Sequence, residues 1–130
     1  MLDGSQARSE QMRGKVLLVN FWATTCTVCV QEMPRIVATQ QKFQGRGYDT
    51  LAVAMNYDPP ARVSDFATRS ALPFGVVIDN TGAIAKAFGD VPGTPTTFLI
   101  DKKGAIVKRF VGEPDFAELH ALVEQLLAEA

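Results

Sequence analysis

This sequence is poor in residues that bind metals or cross-link a chain, with two cysteines and one histidine among 130 residues. A structural zinc site needs about four ligands, and His120, far along the chain, is the one histidine that could join Cys26 and Cys29. We therefore expect no zinc site within one chain and assign no metal ligand. A static disulfide between cysteines so close in sequence would close too small a loop to stabilise a domain of this size much.

The sequence also lacks an excess of charge of one sign and a long apolar run. Its 13 lysine and arginine residues against 14 acidic residues give a formal net charge of −1, without the basic cluster that binding to a phosphate backbone requires. The longest apolar runs, residues 16–19 and 51–55, are far shorter than the roughly 20 residues that cross a bilayer. Nucleic acid is therefore excluded as a partner, and no membrane span is expected.

The first residues lack the features of a secretory signal. Residues 1–5 contain neither a basic stretch nor the start of an apolar core. Two interpretations remain open: the protein is cytosolic, or an export segment precedes this sequence in the natural protein.

The composition and the apolar patterning predict one α/β domain. With 47% hydrophobic and 21% charged residues, the chain can bury a core of ordinary size. Alternating strands and helices predict right-handed crossovers and a central sheet with helices on both faces, and a final hairpin makes the sheet mixed. The predicted strands are residues 16–22, 51–55, 74–78, 96–100 and 105–111; the predicted helices are 26–44, 59–70, a short one ending near 88, and a closing one after 115.

The two cysteines lie three positions apart where the first predicted strand gives way to a helix. Thr24 and Thr25 are candidate N-caps of that helix. The positive end of the helix dipole favours a thiolate on Cys26, because cysteines in this setting have pKa values lowered from about 8.5 to roughly 3.5–7.5. Cys29 is close enough to form a disulfide with Cys26 or to release a partner bound to it. The pair therefore predicts reversible dithiol–disulfide exchange.

Several short motifs resemble those of the thioredoxin superfamily. They are Phe21-Trp22-Ala23 ahead of the cysteines, Pro34 after them, and Gly93-Thr94-Pro95-Thr96 before a strand. Residues 13–15, residues 32–34 and an extra helix and strand between positions 58 and 78 resemble the TlpA/ResA-like group of exported bacterial thiol-disulfide oxidoreductases. The resemblance implies a thioredoxin-like domain over residues 15–130, with residues 1–14 as the remnant of an N-terminal hairpin.

The resemblance also assigns roles to residues of the predicted site. It implies that Cys26 is the nucleophile, that Cys29 is the resolving thiol, and that Pro95 is a cis-proline beside which the backbone of Thr94 holds a substrate peptide as an added strand. It implies no cofactor. The predicted substrate-binding residues are Trp22, Thr25, Thr27, Val28, Thr94 and Pro95.

Two departures from thioredoxin leave the proton transfer without its usual group. Asn20 stands where thioredoxin has a buried aspartate, and Met55 where it has a lysine. Glu32 matches an acidic residue that the TlpA/ResA-like proteins place beside their cysteines, so it is a third candidate catalytic residue that could exchange a proton with Cys29. The alternative is a solvated carboxylate on a helix face.

The resemblance implies a periplasmic protein, anchored to the membrane in its full-length form, with a cytoplasmic location as the alternative. We expect a monomer that reduces disulfides in exported proteins, as in cytochrome c maturation or redox homeostasis, and that a membrane-bound or soluble redox partner recycles. A peroxiredoxin-type peroxide reductase is an alternative, although Ala23 stands where such proteins place a threonine. A copper-carrying thiol protein is another, with Met33 or Met55 as a further ligand.

Overall fold

A computed structural model describes residues 14–89 and 91–129 of the chain. These residues form five strands and four helices, in the predicted order. The strands are β1 (Val16–Trp22), β2 (Tyr48–Ala54), β3 (Gly75–Ile78), β4 (Thr96–Ile100) and β5 (Ile106–Val111), and the helices are α1 (Thr27–Phe43), α2 (Pro60–Arg69), α3 (Ala83–Ala87) and α4 (Phe116–Leu127).

The strands form one mixed sheet in the order β3-β2-β1-β4-β5. β1 pairs in parallel with β2, and β2 with β3, whereas β4 runs antiparallel to both β1 and β5. Trp22 lies opposite Ala54, and Phe21 lies opposite Thr96. The ends of β1 and β2 and the beginning of β4 therefore meet at one edge of the sheet, and the loops that follow or precede them lie side by side.

Strand β1 is the centre of the fold, and all seven of its residues are buried. Such burial on both faces explains why six of its seven residues are apolar, with Asn20 as the polar exception. On one face Leu18 and Trp22 pack into a core shared with α1, α2 and α4. On the other face Val19 and Phe21 pack into a smaller core with α3, where Phe21 makes edge-on contacts with Phe88 and Phe98. The predicted α/β class, the mixed sheet and its flanking helices are confirmed.

The prediction of β2 was wrong at its start, because the strand begins at Tyr48 rather than at residue 51. Tyr48 and Thr50 are buried and hydrogen-bonded to each other, and Tyr48 packs against Phe43 at the end of α1. Tyr48 and Thr50 therefore face the core, which an apolar pattern does not reveal.

The predicted segment 1–14 lies outside the described residues except for Gly14, whose amide donates to the carbonyl of Lys102 at 2.9 Å. Within residues 14–89 and 91–129, none of the helices has the length and apolar character needed to cross a membrane.

Candidate active site

The two cysteines lie at the start of α1, directly after a tight turn that follows β1. The amide of Cys26 donates to the carbonyl of Ala23 at 3.1 Å, which closes the turn. The N-cap of α1 is Cys26 itself: its sulfur accepts the amide of Cys29 at 3.2 Å. The predicted caps Thr24 and Thr25 were wrong, because these residues form the turn and the helix begins after them.

The environments of the two thiols differ, and so do their pKa values. Both cysteines are free thiols, Cys26 half-buried and Cys29 fully buried. Burial raises the pKa of Cys26. Hydrogen bonds with Cys29 and with the side chain of Thr94 more than offset this effect, so the pKa is lowered overall. Burial and the hydrogen bond to Cys26 raise the pKa of Cys29 to about 12. At neutral pH the accessible sulfur is the one that ionises more easily.

Glu32 belongs to a buried polar cluster beneath the cysteines. The side-chain amide of Asn20 donates to Oε1 of Glu32 at 3.0 Å and to the hydroxyl of Thr97 at 3.0 Å. All three side chains are fully buried, so the alternative of a solvated helix-face carboxylate was wrong. The cluster joins β1, α1 and β4 and places one carboxyl group in the core, one helical turn after Cys29.

Burial is the main reason that the pKa of Glu32 is raised from 4.5 to about 7. The hydrogen bond from Asn20 lowers this pKa in part, and the negative charge of Glu113 raises it. Within the described part of the chain, Oε2 of Glu32 has no hydrogen-bond partner. The carboxyl group can therefore be charged or neutral near neutral pH, and one of its oxygens is free to carry a proton.

The loop before β4 lies against the sulfur of Cys26. The thiol of Cys26 donates to the carbonyl of Thr94 at 3.6 Å, and the Thr94–Pro95 peptide bond is cis, as the family resemblance implied. Thr94 is half-buried and Pro95 is buried. The carbonyl of Pro95 accepts the amide of Gly112 at 2.9 Å, which ties this loop to the end of β5.

The other predicted substrate-binding residues lie at different depths. Thr25, Thr27 and Val28 are exposed around Cys26, with Val28 42% exposed. Trp22 is fully buried and packs against Phe66 of α2, with 5.2 Å between ring centroids. Its side chain supports the turn from beneath and does not reach the surface.

The contact that fixes the turn before Cys26 was not predicted from the sequence. The carboxylate of Asp58 accepts the amide of Thr24 at 2.7 Å and its hydroxyl at 2.6 Å, and Asp58 is 1% exposed. Asp58 belongs to the loop after β2, and Met55 of that loop donates its amide to the carbonyl of Trp22 at 3.0 Å. An acidic residue shortly after a buried strand was the signal available in the sequence.

His120 lies on α4, away from the cysteines, and its Nε2 is 2.8 Å from the hydroxyl of the buried Thr39. Its ring packs edge-on against Phe43. Within residues 14–89 and 91–129, no group of three or more histidine, cysteine, aspartate or glutamate side chains could hold a metal ion.

Comparison with known proteins gives consistent matches over nearly the whole chain. The Redoxin family model matches residues 1–126. The chain is 40% identical over 111 residues to the thiol-disulfide oxidoreductase ResA of Geobacillus thermodenitrificans, which is 85% of this chain and 63% of that protein's length.

Two solved structures share the fold. A Neisseria meningitidis protein assigned as a thioredoxin is 38% identical, with a TM-score of 0.93 over 99% of this chain and 85% of the other. A thioredoxin-family thiol:disulfide interchange protein from Chlorobium tepidum is 29% identical, with a TM-score of 0.88 over 98% of this chain and 90% of the other.

Proposed function

This chain belongs to the Redoxin family, among the ResA-like thiol-disulfide oxidoreductases of the thioredoxin superfamily, and from that membership we propose that it reduces disulfides of exported proteins through Cys26 and Cys29. The observation that carries the proposal is the difference between the two sulfurs. Cys26 is accessible and has a lowered pKa, whereas Cys29 is buried with a raised pKa. Disulfide exchange takes place in two steps: one sulfur attacks the partner's disulfide, and the other sulfur then attacks the mixed disulfide.

The first step is attack by the Cys26 thiolate on a sulfur of the partner's disulfide. A bond forms between Cys26 and that sulfur, the partner's disulfide breaks, and its second sulfur leaves as a thiolate that takes a proton from water. The amide of Cys29 at 3.2 Å stabilises the attacking thiolate before the bond forms. The result is a mixed disulfide between Cys26 and the partner.

The second step requires Cys29 to lose its proton. Once Cys26 is bonded to the partner, it carries no negative charge. Its hydrogen bond with Cys29 and its charge both raise the pKa of Cys29 in the reduced protein, and both effects are then removed or weakened. Glu32, one helical turn away, accepts the proton on its carboxylate. The Cys29 thiolate then attacks the sulfur of Cys26, a Cys26–Cys29 disulfide forms, and the mixed disulfide breaks. The partner's sulfur leaves as a thiolate that takes a proton from water, and Glu32 returns its proton to water, so the partner leaves with both of its cysteines reduced.

The cycle closes when a dithiol donor reduces the Cys26–Cys29 disulfide. Two electrons pass from the donor to this chain and then to the partner. Disulfides persist mainly outside the cytosol, which supports a periplasmic location, with an anchor in the full-length protein, and substrates such as the cysteine pairs of apocytochromes. Thr25, Thr27, Val28 and the Thr94–Pro95 loop surround the reacting sulfur and form the surface that contacts the partner.

Measurement of the midpoint potential against glutathione tests the direction of electron flow. A value near −270 mV, about that of thioredoxin, is expected for a reductant, whereas a value near −120 mV would identify an oxidant.

Cys29→Ser should trap an oxidised Cys-x-x-Cys peptide covalently on Cys26, and Cys26→Ser should trap none. Faster turnover with hydrogen peroxide than with the peptide would instead support a peroxide reductase, and tight stoichiometric Cu(I) binding without peptide reduction would support a copper carrier.

A further inference from the structure

The loop after β2 lies beside Cys26, on the side away from Pro95. β1 lies between β2 and β4 in the sheet, so the loop at residues 55–59 and the loop at residues 91–95 flank the cysteines from opposite sides. Neighbouring strands are about 4.8 Å apart, which places these loops next to the turn at residues 23–26.

Tyr57, in the loop after β2, has a large aromatic side chain that is 60% exposed. The residue after it, Asp58, is 1% exposed and holds Thr24 through two hydrogen bonds of 2.6 and 2.7 Å. The backbone that carries Tyr57 is therefore fixed to the turn that carries Cys26. A rigid, exposed aromatic residue loses little conformational entropy on binding, which suits it to contact a partner.

The three chain segments that flank Cys26 carry almost no charge. Residues 23–30, 55–60 and 91–96 include a single charged residue, Asp58, and its side chain is buried, although 21% of the whole chain is charged. Burying a charge at an interface is costly unless it is paired. The surface therefore suits an uncharged segment of a partner and disfavours a charged one.

The area that a partner must cover includes this loop. Transient complexes bury roughly 600 Å² or less on each side, and stable ones about 800 Å². A footprint of several hundred Å² centred on Cys26 extends across the neighbouring loop as well as the Thr94–Pro95 loop.

We infer that Tyr57 is a specificity-determining contact that receives an apolar or aromatic side chain of the partner protein, near the partner's disulfide and on the side of Cys26 opposite Pro95. The inference rests on the proposed disulfide exchange at Cys26. It adds a preference among disulfides: those flanked by an uncharged, aromatic segment react faster than those flanked by charged residues.

The test uses a series of synthetic peptides with one internal Cys-x-x-Cys disulfide. Phenylalanine replaces alanine at each position within four residues of the disulfide in turn, and kcat/KM is measured for wild type, Tyr57→Ala and Tyr57→Phe. Ile106→Ala is the matched control, because Ile106 is 50% exposed but begins β5, at the opposite end of the sheet. Oxidised glutathione, which has no aromatic side chain for Tyr57 to receive, measures the reactivity of the thiols without that contact.

At one peptide position, phenylalanine should raise kcat/KM of wild type about threefold to tenfold over alanine, the range for an aromatic pair. Tyr57→Ala should abolish this gain, while Tyr57→Phe and Ile106→Ala keep it, and all four proteins should reduce oxidised glutathione equally. A gain that survives Tyr57→Ala, or the lack of a gain at every position, would overturn the inference alone. A wild-type protein that reduces neither the peptides nor glutathione would overturn the proposed function and the inference with it.

Discussion

Asn20 and Glu32 form a buried hydrogen bond of 3.0 Å between the central strand and the helix that carries the cysteines. Asn20 stands where thioredoxin has an aspartate, and the ionisable group of the pair is Glu32, on the helix. The carboxyl group that we propose as the proton acceptor is therefore one turn from Cys29 along the same helix, and its distance from that sulfur changes little if the helix moves relative to the sheet.

Glu32 should make the protein less stable as the pH rises. Its pKa is 4.5 in the unfolded chain and about 7 in the folded one, so the folded state binds more protons between these values. With respect to this group, the free energy of unfolding should thus be highest below about pH 4.5, fall by roughly 3 kcal/mol as the pH rises from 4.5 to 7, and level off above that pH. Urea denaturation at a series of pH values measures this change.

Glu32→Gln provides the comparison, because glutamine has the same shape and does not titrate. The variant should lose the decrease in stability between pH 4.5 and pH 7 that belongs to Glu32. Identical pH profiles for the two proteins would contradict a raised pKa. Asn20→Ala removes the hydrogen bond that lowers the pKa of Glu32 and should shift the decrease to higher pH.

Glu32→Gln should also slow the release of a partner more than the first attack on it. The attack depends on the thiolate of Cys26, whereas the release depends on the proton of Cys29, for which glutamine is no acceptor. We expect a release rate at least tenfold lower near neutral pH, with the rate of mixed-disulfide formation changed less than threefold, since general base catalysis contributes about 10²–10⁴-fold. Stopped-flow exchange with an oxidised peptide separates the steps. Equal release rates across mildly acidic to mildly basic pH would show that water removes the proton.

Thr24→Val should destabilise the turn that precedes Cys26. The hydroxyl of Thr24 donates to the buried carboxylate of Asp58 at 2.6 Å, and valine leaves one acceptor of that carboxylate without a partner. The expected loss is about 1–3 kcal/mol of unfolding free energy, measured by chemical denaturation. Thr25→Val, at an exposed position of the same turn, is the control and should change the stability by less than about 0.5 kcal/mol. A similar loss in both variants would argue against the contact.

His120 should be neutral and carry its proton on Nε2. The single hydroxyl hydrogen of Thr39 is donated to the carbonyl of Arg35 at 2.9 Å, so the hydroxyl oxygen must accept from Nε2 of His120 at 2.8 Å. Burial and the charge of Lys42 lower the pKa of the ring, which favours the neutral form. Nitrogen chemical shifts at pH 7 identify the tautomer. A proton on Nδ1 instead would contradict the assignment, and Thr39→Val should weaken the Nε2 preference.

The sequence predicted the order of all nine described elements and the position of the cysteine pair between a strand and a helix, because apolar runs, helical spacing and turn residues are local features. It did not predict contacts that depend on the packing of distant segments. Asp58 reaches Thr24 across 34 positions, and Thr97 reaches Asn20 across 77. Their polar side chains resemble those of ordinary loops or edge strands until the sheet order brings them together. The burial of Glu32 likewise depends on the contact of α1 with β1 and β4, which its helical position alone does not fix.

The sulfur of Cys26 takes the place that a serine or aspartate oxygen occupies at the start of most helices. A reaction at this sulfur therefore also replaces the cap of α1: the acceptor is an anion before the attack and a neutral, two-coordinate sulfur afterwards. The first turn of the helix should hold its amide hydrogen most tightly in the reduced protein and release it to solvent more readily in the mixed disulfide. The hydrogen-exchange rate of the Cys29 amide should therefore be low in the reduced protein and higher in the mixed disulfide. It reports the state of Cys26 without a label on either cysteine.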